Sequence, residues 1–180
     1  MEAGDGLFYV VKFANNPQSR RILANEWIAS ALLRHLEIAA PETQLIELSE
    51  EFLAGNGEVC LQTASRRRAV EPGWHVCSCF PGNSLHVAVY DMLPDALLSK
   101  IVNGADFLGA LAFDKWTGNS DARQAVFFRG RTGDWLPGRG ENPLQVGFIA
   151  QMIDHGYIFD GPNWALRDAP GMGLFFRPQV

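Results

Sequence analysis

Residues 103–121 constrain the fold of this chain most. Asn103 to Trp116 reads as one long helix with Phe107, Leu108, Leu111 and Ala112 facing inward. The turn signal Gly118-Asn119-Ser120 then stops it, and Gln124 to Arg129 reads as a strand. A chain that passes from helix to strand in so few residues presents Asp121 at the mouth of any cleft between them. The pattern returns downstream. Val146 to Ile153 is a strand candidate, and Asp154-His155-Gly156 turns the chain at its end. Each apolar run therefore closes with a carboxylate at its lip.

The first half is strand-rich with one helix. Leu7 to Phe13, after the turn Gly4-Asp5-Gly6, reads as a strand carrying Lys12. Asn16-Pro17 is expected to open a helix, with Asn as cap and Pro at the first position. Its apolar stripe runs through Ile22, Leu23, Ile28, Ala31, Leu32 and Leu36, and Pro41 ends it. Thr43 to Leu48 is a second strand, Ser49 to Gly57 and Arg66 to Gly73 are loops, and His75 to Cys79 and Leu85 to Tyr90 are strands about the Pro81-Gly82-Asn83-Ser84 turn. Asp91 to Ile101 is a partly helical connection, Pro94 a natural boundary, and Gly130 to Pro143 a loop. This order predicts an α+β protein in two segments, residues 1–93 and 94–180, better than an alternating parallel sheet.

Composition excludes several classes. With 180 residues, 47% apolar and 19% charged, the chain suits one domain or two close-packed lobes with an ample core. A net charge of −5 gives no electrostatic footprint for nucleic acid or an acidic membrane surface, and Arg66-Arg67-Arg68 reads as a solvated turn. No signal-peptide pattern opens the sequence and no apolar run approaches the roughly 20 residues of a spanning helix. Three cysteines make no disulfide framework, so a reducing cytoplasm is expected.

Four charged residues carry the candidate chemistry. Lys12 stands near a strand end and Glu26 on the following helix; a lysine held by such a glutamate extends its ammonium toward phosphate oxygens. Asp121, in its turn, can orient a hydroxyl, and Asp154 can chelate Mg²⁺. Together these are what phosphoryl transfer from a Mg-nucleotide requires. A plainer reading uses the same residues otherwise. Lys12 and Glu26 sit on the surface, both aspartates bond their own turns, and the chain is an interaction or assembly domain.

The segments Tyr9-Val10-Val11-Lys12-Phe13, Leu23-Ala24-Asn25-Glu26-Trp27-Ile28-Ala29, Pro41-Glu42, Ala112 to Asp121 and Ile153-Asp154-His155-Gly156 resemble, in order, the HipA-like kinases. These are bacterial Ser/Thr protein kinases with a divergent protein-kinase fold. The resemblance runs from about residue 6 to about residue 165, and its most specific part is the Phe-Asp-x-Trp-x-Gly-Asn-x-Asp run with Asp-His-Gly downstream. It implies a two-lobed fold, a small N-terminal sheet with one helix plus a shortened, mainly helical C-terminal lobe. It implies ATP and Mg²⁺ as cofactors and a protein substrate or antitoxin-like partner. Lys12 would be the ATP-phosphate lysine, Glu26 its partner, Asp121 the catalytic-loop aspartate and Asp154 the metal-binding aspartate. Trp116 and Asn119 would shape the catalytic loop.

Two departures accompany the resemblance. Where the family has a histidine two residues after the aspartate and a metal-binding asparagine five after it, this chain has Arg123 and Val126. Gly4-Asp5-Gly6 is also too short for the family's phosphate-covering glycine-rich loop, and the chain stops soon after Asp154, so a shortened member or a fragment is expected. A catalytically weak pseudokinase that binds nucleotide or protein is the alternative expectation.

Other signals resolve into structure. His75, Cys77 and Cys79 alternate on one strand face, with Cys60 and His86 nearby, but the spacing is not that of a zinc finger and buried cysteines explain it. A cysteine–histidine nucleophile lacks an orienting partner. Trp116, Trp135, Trp164, Phe127-Phe128 and Phe175-Phe176 are expected in core and lobe-interface packing rather than in base stacking.

Overall fold

Elements β1 (Tyr9–Lys12), α1 (Arg20–His35), β2 (Thr43–Leu48), α2 (Glu50–Gly55), β3 (Cys60–Gln62), β4 (Arg67–Ala69), β5 (Gly73–Cys79) and β6 (Val89–Tyr90) make up the first half. The second half holds α3 (Asp95–Leu98), α4 (Asp106–Thr117), β7 (Gln124–Arg131), α5 (Thr132–Trp135), β8 (Val146–Ile153) and the turn segment Ile158–Asn163. This computed structural model describes residues 1–62, 66–139, 142–165 and 169–174. The architecture is mixed α+β with small antiparallel sheets, ordered β1-β5-β2, β3-β4 and β6-β7-β8. The expected Phe175-Phe176 packing lies outside the described residues. Among those described, no helix is long and apolar enough to cross a membrane.

β2 and β8 fall on the predicted residues, because alternating and continuous apolar runs are local signals. Several other elements differ. α1 begins at Arg20 rather than at Pro17: the Asn16 side chain accepts the Gln18 N–H at 3.0 Å in a local turn, and Ser19 becomes the cap, accepting the Arg21 N–H. Residues 49–57 are not a loop. Ser49 accepts the Phe52 N–H and Glu50 and Glu51 occupy the first turn of α2, where carboxylates suit the helix dipole. Residues 67–69 form a ladder with β3 and residues 132–135 a helical turn. Of residues 85–90 only Val89 and Tyr90 are strand, since the Asn83 carbonyl draws the His86 and Val87 N–H groups into a turn. β6 pairs with β7, so residues 89–90 join the sheet of the second half. That half is mixed rather than mainly helical, with two eight-residue strands beside the twelve-residue α4.

Both long helices bury polar residues, and this rotates their inward faces from those expected. α1 buries Ile22, Leu23, Asn25, Glu26, Ala29, Ser30 and Leu33, while Ile28, Ala31 and Leu36 are exposed. α4 buries Asp106, Ala110, Phe113, Asp114 and Thr117, leaving Leu108, Leu111 and Ala112 exposed and Phe107 half-buried. A buried polar group is tolerated only when hydrogen-bonded. Ser30 donates to the Pro41 carbonyl at 2.6 Å and Thr117 to that of Phe113 at 2.8 Å.

One apolar cluster joins the two halves. Ala29 and Leu33 of α1, Ile38, Ala40, Ala110 and Phe113 of α4, Met152 of β8 and Ile158 pack together. Beside it, Asp106 fastens the α1–β2 connection to α4. Its Oδ2 accepts the Ala39 N–H at 2.9 Å, the Asn103 amide at 2.8 Å and Arg139 Nη1 at 3.1 Å, and its Oδ1 pairs with Arg139 Nη2. Asn103 in turn bonds both backbone groups of Ala150 in β8. The result fixes the end of β8 against α1, which positions the site.

Candidate functional site

Antiparallel pairing sets the first part of the site. β7 and β8 align Gln124 with Ile153 and Val126 with Gln151, so these four side chains share one face. Asp154 leaves that face at the strand end with φ +56°, a left-handed conformation that aspartate tolerates better than most residues. Gly156 is glycine for a steric reason. A Cβ there would come within 2.4 Å of Ile22 Cγ2, so its missing side chain lets the turn press against α1.

α1 supplies the facing wall. Glu26 bonds the Lys12 ammonium, and Lys12 Nζ also donates to Asp154 Oδ1 at 2.8 Å. Lysine, glutamate and the strand-ending aspartate, distant in sequence, thus form one continuous cluster. Asp121 opens onto the same cavity of about 730 Å³, as do Val10, Val89 and Pro81. The plainer reading of Asp121 is also partly realised, since its Oδ1 accepts the Ala122 N–H at 2.7 Å. Its backbone is set by Asn119, whose side chain accepts the Asp121 N–H at 3.2 Å and donates to Asp114 at 3.1 Å.

The electrostatics follow from one ammonium serving two carboxylates. Burial would pull Lys12 down, but Glu26 and Asp154 outweigh it and leave its pKa raised. Burial raises Glu26, whereas Lys12 overcomes the burial of Asp154 and holds that carboxyl below its usual range. With Asp121 included, one formal positive charge faces three carboxylates across the cavity.

Three residues beyond the expected set hold the site in place. Asn25, fully buried beside Glu26, donates to the carbonyls of Gly156, Ile158 and Gly161 at 2.7–3.1 Å and accepts the Trp164 indole N–H. Arg123 pairs with Asp114 of α4, donates to the Ile153 carbonyl at 3.3 Å and contacts His155 Nδ1. Burial, then the Arg123 cation, pull His155 to about 3, so its ring is neutral and accepts from Arg123. Arg123 is therefore a strut between α4 and the Asp154 turn. Gln124 donates to Asp154 Oδ2 at 3.1 Å. A mid-helix asparagine next to a glutamate on an apolar face was the sequence signal for Asn25; nothing local signalled Arg123 or Gln124.

Trp116 is 64% exposed and, among the described residues, meets Phe113 edge-on, so it does not take the core or interface packing expected of it; Trp164 is likewise half-exposed. Phe127 and Phe128 are buried on opposite faces of β7, against Phe107 and Trp135. His75 is committed to the backbone: Nδ1 accepts the Ala14 N–H at 2.9 Å and Nε2 faces the Glu71 carbonyl at 3.1 Å. Burial raises the Cys77 and Cys79 thiols, which disfavours the thiolate.

Among the described residues, no three His, Cys, Asp or Glu side chains gather as a metal-holding group. Mg²⁺ asks for less, since it usually keeps its waters and takes one or two carboxylates with substrate phosphates. Asp154 fits that demand, with Asp121 on the same cavity. Gln151 gives a separate sign that the cavity is built for a ligand: it is 7% exposed, lines the cavity, and its Oε1 has no partner among the described residues. No family model matches the chain, and none of the curated proteins compared with it matches.

Proposed function

We propose that the chain is a kinase of the HipA-like type, with a two-lobed protein-kinase-like fold, transferring phosphate from ATP to a serine or threonine of a protein. The observation that carries this reading is the convergence of Lys12, Glu26, Asp121 and Asp154 on one cavity. Its size suits a nucleotide. Val10 shares the cavity face of β1 with Lys12, and Val126 that of β7 with Gln124, so apolar walls for a planar base adjoin the charged cluster.

In this reading Lys12, held extended by Glu26, steadies the nucleotide's phosphate oxygens. Asp154 would hold Mg²⁺, which would supply neutralisation of the charge developing on the phosphoryl group. Asp121 accepts the proton of the attacking hydroxyl as its oxygen bonds the γ-phosphorus and the bond to the ADP oxygen breaks. Arg123, Asn119 and Asn25 keep the two aspartates in register.

Incubation with γ-labelled ATP and Mg²⁺ tests this. Labelling of the chain or of an added protein, abolished by Asp121→Ala, is expected; no labelling under any condition overturns transfer. Val126, a cavity-lining residue with no oxygen for a metal, favours a second reading as a pseudokinase. That reading requires ATP to raise the melting temperature without turnover, and turnover dependent on Asp154 removes it.

A further inference from the structure

We infer that Gln124 is a metal-ligating residue, its side-chain amide oxygen joining Asp154 on the nucleotide's divalent cation. The inference rests on the nucleotide reading above and adds a ligand that the expected set lacks.

The argument is geometric. Gln124 is the first residue of β7 and stands opposite Ile153, so its side chain emerges on the cavity face beside Asp154. Its terminal amide lies 3.1 Å from Asp154 Oδ2. In an octahedral Mg²⁺ site with bonds of about 2.1 Å, neighbouring ligand oxygens stand about 3 Å apart. The amide and the carboxylate already occupy one edge of such a site. In the free protein the amide nitrogen points at the carboxylate, which satisfies it. A half-turn of the amide group exchanges nitrogen for oxygen at the same place, and such a rotation is permitted by the nearly symmetric shape of the group.

Position along the strand decides between Gln124 and its neighbours. Val126 faces the same cavity two residues further along β7, about 7 Å farther from the Asp154 end, and offers no oxygen. A glutamine at the nearer position, with its longer side chain, reaches what an asparagine at 126 would have to reach from further away. Gln124 is exposed, so the fold does not require its amide. The excess of carboxylate over ammonium at the cluster and the unpartnered Gln151 oxygen both point to a cation-bearing ligand in this cavity.

The test measures Mn²⁺ binding in the presence of ADP, by loss of the free-ion electron-spin signal, and ADP binding without metal by calorimetry. Gln124→Ala is expected to weaken Mn²⁺ binding about tenfold or more, the scale at which ligand-shell changes act. Metal-free ADP binding falls less than Mn²⁺ binding does, and Gln124→Glu restores Mn²⁺ affinity. Equal Mn²⁺ affinity in wild type and Gln124→Ala overturns the assignment and leaves the nucleotide reading standing. A wild-type chain that takes up no Mn²⁺ with ADP overturns both.

Discussion

Asp106 with Arg139 and Lys12 with Glu26 and Asp154 are built from the same kinds of side chain, yet one is closed and the other open. Every direction around Asp106 is filled: by a backbone N–H, an amide and two guanidinium nitrogens. One carboxylate meets one cation, so nothing further is needed. At Lys12 a single ammonium serves two carboxylates, with Asp121 across the same cavity. A closed cluster stabilises; an open one keeps charge available for a ligand.

The largest expected effect falls on the closed cluster. Asp106→Ala leaves Arg139 and the Ala39 N–H without their partner and is expected to cost about 3 kcal/mol in urea unfolding, the lower end for breaking a buried pair because Arg139 is partly exposed. Nucleotide binding by the folded fraction should persist. Burial would raise Asp106, but Arg139, the Ala39 N–H and Asn103 together hold it below its ordinary 3.8. The unfolded chain therefore takes up this proton first. The contribution is complete above 3.8 and is lost as pH falls below it toward the folded value, so Asp106→Asn should flatten the acid limb of the stability profile. An unchanged limb would break the comparison.

Gly156→Ala comes next, at about 2 kcal/mol from overpacking against Ile22. Ile22→Ala in the same chain should recover part of that loss in a double-mutant cycle; strict additivity would show that the turn does not press on α1. Gln151→Leu removes the unpartnered amide oxygen and is expected to stabilise the free protein by about 1 kcal/mol. A lower melting temperature in that variant would mean that the amide has a partner in solution.

The smallest effect on stability belongs to the open cluster. Asp154→Asn keeps a residue that tolerates positive φ, and the Lys12–Asp154 pair is more than a third exposed on both sides, so unfolding should shift by less than about 1 kcal/mol. The same change should abolish metal-dependent nucleotide binding. A large stability loss with binding intact would reverse the contrast between the two clusters.

Much of the site was legible early because each of its acids closes a strong local pattern. Asp154 ends β8, whose apolar run sets its bounds, and Asp121 follows the Gly118 turn, where φ is +57°. Glu26 stood out by its spacing from Lys12. The start of α1 was misjudged because Asn16-Pro17 and Ser19 are both good opening signals, and only the competing turn at Gln18 separates them. The inward faces of α1 and α4 were misjudged because apolar periodicity assumes apolar partners. Here Asn25, Ser30, Asp106 and Asp114 are drawn inside by partners that include groups far off in sequence, up to Trp164, 139 residues from Asn25.

Local chemistry in the chain determined β2, β8 and the carboxylate-tipped turns, since periodicity and turn residues act over a few positions. Tertiary structure alone decided that Arg123 would become a strut, that Gly156 would yield its volume to Ile22, and that Gln124 would stand beside Asp154. Each of those outcomes depends on a partner brought close by sheet register and helix packing, and a short window of residues carries no record of that distance.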